Sequence, residues 1–505
     1  MRYDTDSTIC AAATPIGEGA ISIIRVSGPK ALEAVDSLVK FKHGTAVETK
    51  GYELKYGEIE GLDEVMVALF RAPNSYTGEN SAEISCHASA YIASEILHRL
   101  CDFGCRLAQG GEFTKRAFMN GKMDLSQAEA VADIIAADSK LSHDFALSQL
   151  KGSYSNEFKA LRAELVRLCS LLELELDFSE EEVNFADRQQ LAQLLDSCIN
   201  KVSSLKNSFK LGNAVKRGVP VSIVGAPNSG KSTLLNALVG DERAIVSDIP
   251  GTTRDTIEET IVIDGVRYRF IDTAGLRESD DVVEKIGIGR SLSSLRSSLI
   301  VLALLDAQED VSALREILHQ IRLEITEGQG LITVINKCEL VPSERIEELR
   351  EMICGLANNE ITGAEQHASD PTADAASHSP VCAASMTKKC TFLDANGATC
   401  AGNIVEISAL NGDGLDALKD KINEVRKSLL GDGNGVVVTS ERHYEALSNA
   451  LRELQLARES LQQGLSGELL AEDLRSASDS LSSILGEITT NELLGEIFSK
   501  FCIGK

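Results

Sequence analysis

The stretch with the plainest chemistry is "GAPNSGKS" at 225–232. A glycine, four residues, then glycine, lysine and serine is the order of a loop that wraps phosphate groups in backbone N–H donors. The glycines let the main chain approach oxygen atoms closely. Lys231 can reach β- and γ-phosphates, and the Ser232 hydroxyl suits Mg²⁺. The apolar run "VSIV" precedes the loop and "STLLNALVG" follows it, so a strand feeds the loop and a helix leaves it.

Four further segments follow in order. "DIPGTTRD" places Thr253 to complete Mg²⁺ coordination when a γ-phosphate is present. "FIDTAG" ends a strand, with Asp272 on the Mg²⁺ side and the Gly275 N–H as γ-phosphate sensor. "LITVINKCE" ends another strand on Asn336 and Lys337, and "VEISAL" supplies Ser408 and Ala409. Together they resemble the nucleotide-binding set of GTPases. The candidate GTP contacts are Asn228, Ser229, Gly230, Lys231, Ser232 and Thr233; Ser247, Asp248, Ile249, Pro250, Gly251, Thr252 and Thr253; Asp272, Thr273, Ala274 and Gly275; Asn336, Lys337 and Glu339; and Ser408 with Ala409.

Two positions depart from that set. Glu339 stands where an aspartate usually accepts both guanine hydrogen bonds; it has the same acceptors on a longer stem. Leu276 stands where Ras-type enzymes place the glutamine that orients the attacking water. No arginine finger is evident, although Arg254 and Arg277 lie close by in the chain. Water orientation and charge neutralisation must then come from elsewhere. The candidates are Glu284 in "DDVVEKIG" and a cation bound beside Asn228.

The elements that position these groups can be read along the chain. At 505 residues it exceeds one core, so several domains are expected. Residues 1 to about 120 alternate strand-like runs, such as "AISIIRVSG" and "VMVALFRAP", with the helical runs "ALEAVDSLV" and "ASEILHRLC": an α+β pattern. From "MDLSQAEAVADIIAA" to about residue 216 the pattern is helical. Strand–helix alternation then runs from "RGVPVSIVG" to about 429, and after "GDGNG" helices resume. The simplest architecture inserts the α/β part into one helical domain. Residues 355–400 are small, polar and aperiodic, and read as a loop insertion. Cys354, His367, His378, Cys382, Cys390 and Cys400 lie in or beside it, but no C-x₂-C zinc pair is present.

No apolar run reaches a membrane span, and the N-terminus lacks the apolar core of a signal peptide. Twelve scattered cysteines point to reduced thiols, hence a cytoplasmic setting. The net charge of −26 argues against a purely electrostatic nucleic-acid binder; a chain this acidic needs a local basic patch or a basic partner.

"GAPNSGKS", "DIPGTTRD", "DTAGLRESDDVVEKIG" and the terminal "FCIGK" together resemble the MnmE (TrmE) family of tRNA-modification GTPases. "ATPIGEGAISIIRVSG", "PNSYTGENSAEISCH" and "GEFTKRAFMNGKMDLSQAEA" extend the resemblance over nearly the whole chain. Only Glu339 and the 355–400 insertion depart from it. The resemblance implies an N-terminal folate-binding α+β domain (1–120), a discontinuous helical domain (121–217 and 430–505) and an inserted P-loop, Ras-like GTPase domain (218–429). It implies a homodimer built through the N-terminal domains and a partner, the FAD-containing MnmG (GidA) subunit. The pair would modify C5 of the wobble uridine of certain tRNAs, with a one-carbon unit from a tetrahydrofolate derivative. GTP hydrolysis would need Mg²⁺, with K⁺ as activator.

The resemblance also carries residues over. Asn228, Ser247, Ile249 and Thr252 match the K⁺ ligands, and Glu284 matches the residue that positions the water. Arg25, Glu83, Lys122 and Lys505 match the folate-binding positions. Cys502 alone reads as a small packed hydrophobe, and a prenylation signal fits Lys505 poorly. The family pattern gives its thiol a chemical role instead. "NELLGEIFSKF" is expected to form an amphipathic helix that delivers the tail to the folate site, with Phe501 and Ile503 as anchors and Gly504 as a tight bend. A ribosome-assembly GTPase shares "PNSGKSTLLNAL" and "GTTRD", and a scaffold GTPase shares the dimeric switch. Neither needs a folate domain or a terminal C-I-G-K.

Overall fold

The computed structural model describes residues 6–15, 17–177, 188–241, 259–271, 295–326, 328–363, 403–430, 435–464, 467–487, 491–499 and 501–504. The chain forms two compact units. The first comprises Met1–Ala137, Asp144–Lys206 and Glu441–Lys505; the second comprises Asp138–His143 and Asn207–Ser440. The fold is mixed helix and sheet with a helical part, the class the sequence patterns predict.

In the first unit a seven-stranded sheet has the order β3-β4-β5-β6-β2-β1-β7. Its strands are β1 (Ile9–Ala12), β2 (Ile21–Ser27), β3 (Lys40–Phe41), β4 (Glu53–Ile59), β5 (Asp63–Phe70), β6 (Ser81–His87) and β7 (Arg106–Leu107). All pairs are antiparallel except β1 with β7. Along β2 the side chains of Ile24 and Val26 enter the core with Ile84 of β6. The two-residue period therefore sends Arg25 to the opposite face. The same register sets Arg25 directly across from Glu83.

Long helices make up the rest of this unit, among them Leu125–Ala136, Ser153–Asp177, Glu441–Gln463 and Gly467–Leu485. Asp124 starts the first with a capping box: its carboxylate accepts from Gln127 N while the Gln127 side chain accepts from Asp124 N. A buried polar chain ties three of these helices. Tyr154 bonds His443 Nδ1 at 2.7 Å, and His443 Nε2 lies 2.9 Å from Glu129 Oε2. Arg442 Nε donates to Glu129 Oε1 at 2.9 Å. Burial alone would raise the Glu129 carboxyl; its His443 and Arg442 partners outweigh that and hold it down at about 2. Burial pushes His443 the other way, below its ordinary value, so it is neutral near pH 7. Arg442 Nη2 also lies 2.7 Å from His443 Nε2; an arginine only donates, so a neutral imidazole accepts there and donates from Nδ1 to the Tyr154 hydroxyl.

The second unit has a six-stranded sheet of order β13-β12-β11-β8-β10-β9. Its strands are β8 (Val219–Gly225), β9 (Glu259–Ile263), β10 (Val266–Phe270), β11 (Ile300–Asp306), β12 (Gly330–Asn336) and β13 (Ile404–Glu406). Only β9–β10 is antiparallel. "IVLALLD" and "GLITVIN" are buried along their whole length, as strands covered on both faces must be. The strand order reverses at β8, and its carboxyl end is the switch point where such sheets bind ligands. The helix Ser343–Gly363 runs into the region read as an insertion from residue 355. Its apolar residues Leu349, Met352 and Ile353 seat it on the core and carry the helix onward. Residues 364–402, with His367, His378, Cys382, Cys390 and Cys400, lie outside the described residues. Among the described residues no helix is long and apolar enough to cross a membrane.

Tyr154→Phe keeps the ring but leaves the buried His443 Nδ1 without its partner. The orphaned buried group should cost about 1–3 kcal/mol. A urea titration followed by helix dichroism should show a lower midpoint for the helical transition; an unchanged midpoint would mean that the chain is not structurally important.

Candidate functional site

The strand β8 ends on Gly225 and the helix Lys231–Asp241 begins six residues later, so "GAPNSGKS" is the strand-to-helix turn. Gly225 sits where a Cβ would come within 2.3 Å of the Leu304 carbonyl on β11. Asn228 and Gly230 have positive φ, 62° and 97°. A left-handed asparagine is uncommon, and such backbone is retained where surrounding contacts over-determine it. Lys231 Nζ donates back to the carbonyls of Gly225 and Ala226 at 3.1 and 2.7 Å. Burial pushes its ammonium below the ordinary lysine value, so an anion brought to this loop would be stabilised by it. Ser232 and Thr233 lie in the first turn of the helix. Ser229 is buried and Asn228 is exposed.

One side chain draws three of the sequence segments together. Asn336, 2% exposed at the end of β12, donates from Nδ2 to the Ser229 carbonyl at 2.9 Å. Its Oδ1 accepts from Ala409 N at 3.0 Å. A Cβ on Gly230 would lie 2.3 Å from Asn336 Nδ2, so this approach needs the glycine. Next in the chain, Lys337 takes a left-handed backbone, φ 62°. Its Nζ lies 2.6 Å from Asp306 Oδ2, and Asp306 Oδ1 accepts from Gln308 N at 3.0 Å. Asp306 was missed in the sequence, although an aspartate that closes a wholly apolar strand is a readable signal. Glu339 is exposed in the short 3₁₀ turn Cys338–Leu340. Ser408 Oγ accepts from Asn411 N at 3.2 Å and so shapes the turn that carries Ala409. Ser247 to Thr253, Arg254, Asp272 to Gly275 and Glu284 lie outside the described residues.

The first unit holds a second cluster. Arg25 donates from Nε and Nη2 to Glu83 Oε1 at 2.9 and 2.8 Å, leaving Oε2 outside the pair. The guanidinium lies 5.5 Å from the Tyr76 ring centre and 5.6 Å from that of Phe113, within cation–π range. Neither aromatic was singled out in the sequence. The remaining nitrogen of Arg25, Nη1, donates to the Gly504 carbonyl at 3.1 Å. The tail helix is Asn491–Ser499, and Phe498 beneath it is buried and 5.3 Å from the Phe501 ring. Cys502 is exposed. Ile503 is 66% exposed and is not the anchor the sequence predicts; the backbone of the tail faces the domain, which turns its side chain outward. Lys122 Nζ donates to the Pro73 carbonyl at 3.0 Å, and its stem lies beside Gly78 in the loop that carries Tyr76. Lys505 lies outside the described residues.

Asn336→Ala would leave the Ser229 carbonyl and the Ala409 amide without their partner. Each orphaned buried group should cost about 1–3 kcal/mol. Thermal unfolding of the second unit should move down; a transition at the wild-type temperature would show that the tie is dispensable.

Known proteins resemble this chain over nearly its whole length. A family model described as the MnmE helical domain matches residues 125–502, and one described as the GTP-binding protein TrmE N-terminus matches residues 8–122. The chain is similar to proteins named tRNA modification GTPase MnmE. That of Parabacteroides distasonis is 42% identical, over 99% of this chain and 100% of the relative. That of Christiangramia forsetii is 43% identical over 99% of each. That of Porphyromonas gingivalis is 44% identical, over 99% of this chain and 98% of the relative. The chain therefore belongs to the MnmE (TrmE) family of tRNA modification GTPases.

Proposed function

We propose that this chain binds and hydrolyses GTP to drive modification of tRNA wobble uridine at C5, forming an aminomethyl or carboxymethylaminomethyl group. It works as a cytoplasmic homodimer with the FAD-containing MnmG subunit, and the one-carbon unit comes from a 5-formyl- or 5,10-methylene-tetrahydrofolate. Residues 1–120 bind folate and dimerise, 218–429 form the GTPase domain, and 121–217 with 430–505 form the helical domain. So acidic a chain leaves the partner to supply most of the basic surface for tRNA.

The observation that carries the nucleotide part is the Asn336 clasp, which gathers the phosphate loop and the Ser408–Ala409 turn around one point. In this reading Lys231 exchanges its two loop carbonyls for phosphate oxygens. Asp306 holds the Lys337 stem, and Glu339 accepts from the guanine edge. Ser232 and Thr253 hold Mg²⁺, and Asn228, Ser247, Ile249 and Thr252 hold K⁺. Their oxygen donors suit hard cations, which neutralise charge developing on the phosphates. Asp272 and Gly275 follow the γ-phosphate, Glu284 orients the water, and Arg254 is a further candidate for neutralising charge.

At the folate site, Glu83 Oε2 is the oxygen that Arg25 leaves for the donors of a pterin. Arg25, Lys122 and Lys505 hold its carboxylate or carbonyl oxygens. The Cys502 thiol acts during transfer to uridine, as nucleophile or as acid.

Nucleosides from tRNA of a strain lacking this chain should lack the C5-modified wobble uridine, and a Cys502→Ser copy should not restore it. Unchanged nucleosides in the deletion strain would overturn the assignment. Glu284→Ala should lower GTP turnover by about 10²-fold or more, within the range for loss of a group acting at the transition state, while binding of a fluorescent GDP stays within about twofold. Wild-type turnover would remove Glu284 from the reaction.

A further inference from the structure

The tail around Cys502 is held at two points, and the chain is shaped to receive it at both. The Cys502 carbonyl accepts from Gly111 N at 3.2 Å. The Gly504 carbonyl accepts from Arg25 Nη1 at 3.1 Å. At the first point a Cβ on Gly110 would lie 2.8 Å from the Phe501 carbonyl, and one on Gly111 would lie 2.7 Å from the Phe498 carbonyl. Gly111 also has φ +66°, a conformation that L side chains avoid. At the second point a Cβ on Gly504, φ +92°, would lie 2.3 Å from the Ala12 carbonyl on β1. The obstructing atoms are backbone, which cannot rotate aside, so all three positions need glycine.

The receiving turn is also held by contacts that do not involve the tail. Glu112, 5% exposed, accepts from Gln109 N at 2.9 Å and from both Arg106 and Arg116. Burial would raise its carboxyl, but these donors keep it below the ordinary value and charged. Arg116 continues to Glu79 at 3.1 Å, which ties the turn to the loop that carries Tyr76. Phe113, one residue beyond Glu112, packs its ring against the Arg25 guanidinium.

We infer that the Gly110–Gly111 turn is a positioning seat for the tail of the same chain, and that it fixes where the exposed Cys502 thiol stands relative to the Arg25–Glu83 pair. The Cys502 and Gly504 carbonyls are bound on either side of Ile503, so the thiol is presented while the main chain is clamped. Arg25 belongs to both halves, since the Nε–Nη2 edge of its guanidinium holds Glu83 and the remaining nitrogen holds the tail. The consequence for catalysis rests on the folate reading above; the seat itself does not.

A nitroxide attached to Cys502 of the full chain tests this, with its spectrum taken as the difference from a Cys502→Ser chain labelled in the same way. In wild type the label should be strongly immobilised. In Gly111→Ala it should become mobile, with a correlation time shorter by about tenfold, and Gly110→Ala should act in the same direction should the first variant fail to fold. In the reconstituted complex these variants should lower wobble-uridine turnover by about tenfold or more, the scale expected of a reacting group moved by about 1 Å, with GTP hydrolysis within about twofold. Equal mobility in wild type and in the folded variants overturns the seat. An immobile wild-type label released by Gly111→Ala, with no heat of 5-formyltetrahydrofolate binding to wild type, would uphold the seat and overturn the folate reading.

Discussion

Much of the second unit depends on one buried amide. Asn336 has to donate to the Ser229 carbonyl and accept from Ala409 N at once, and this is possible only where three conditions meet. The strand β12 must run two residues past the end of β8, an offset set by the shared neighbour β11, where Gly225 pairs with Leu304 and Asn336 with Asp306. Gly230 must lack a Cβ. The chain after β13 must turn back at Ser408, which its bridge to Asp413 achieves. The left-handed backbones of Asn228 and Lys337 flank this point, and backbone of that kind persists when its surroundings leave no alternative. The loop's shape thus depends on contacts from two other strand ends, not on its own sequence alone.

The first unit solves a different problem, that of holding an arginine in place through all three of its nitrogens. A guanidinium offers its donors in a rigid plane. Here two go to one carboxylate oxygen across the strand pair, a third goes to a peptide carbonyl, and two aromatic rings lie close by. A lysine could reproduce the charge but not this division of donors. Because one donor ends on the tail, the position of the last residues and that of the Arg25–Glu83 pair are set together.

What the sequence made legible follows from the range of the interactions involved. The phosphate loop, its strand and its helix are contiguous, and their signal is local; β8 and the helix after it lie where the pattern put them. The strands "AISIIRVSG" and "VMVALFRAP" and the helix in "NELLGEIFSKF" were equally readable. Arg25 and Glu83 could be named only through family resemblance, because their meeting depends on the β2–β6 register, which joins positions 58 residues apart. Tyr76 and Phe113 were invisible for the same reason. Ile503 was misjudged because hydrophobicity was taken as anchorage, whereas the tail is held by its main chain. The polar stretch from 355 masked a helix end, since Leu349, Met352 and Ile353 lie upstream of it and supply the packing that prolongs the helix.

A simple insertion would leave its host twice, once on entry and once on return. Here Asp138–His143 also belongs to the second unit, so the chain crosses between units four times. That short segment is fastened to the β9–β10 turn: Leu141 N donates to the Gly265 carbonyl at 3.1 Å, and Asp138 pairs with Arg267. Gly265, φ +75°, lies against Lys140 there, where a Cβ would come within 3.0 Å of the lysine Cβ. The strand β10 leaves that turn and ends at Phe270, two residues before Asp272, the carboxylate assigned to the metal side of the nucleotide. The helix that ends at Ala136 lies just before the same segment, and it carries Glu129 of the buried polar chain. Six residues that follow this helix in the chain are thus built into the second unit, on the turn from which β10 runs toward Asp272.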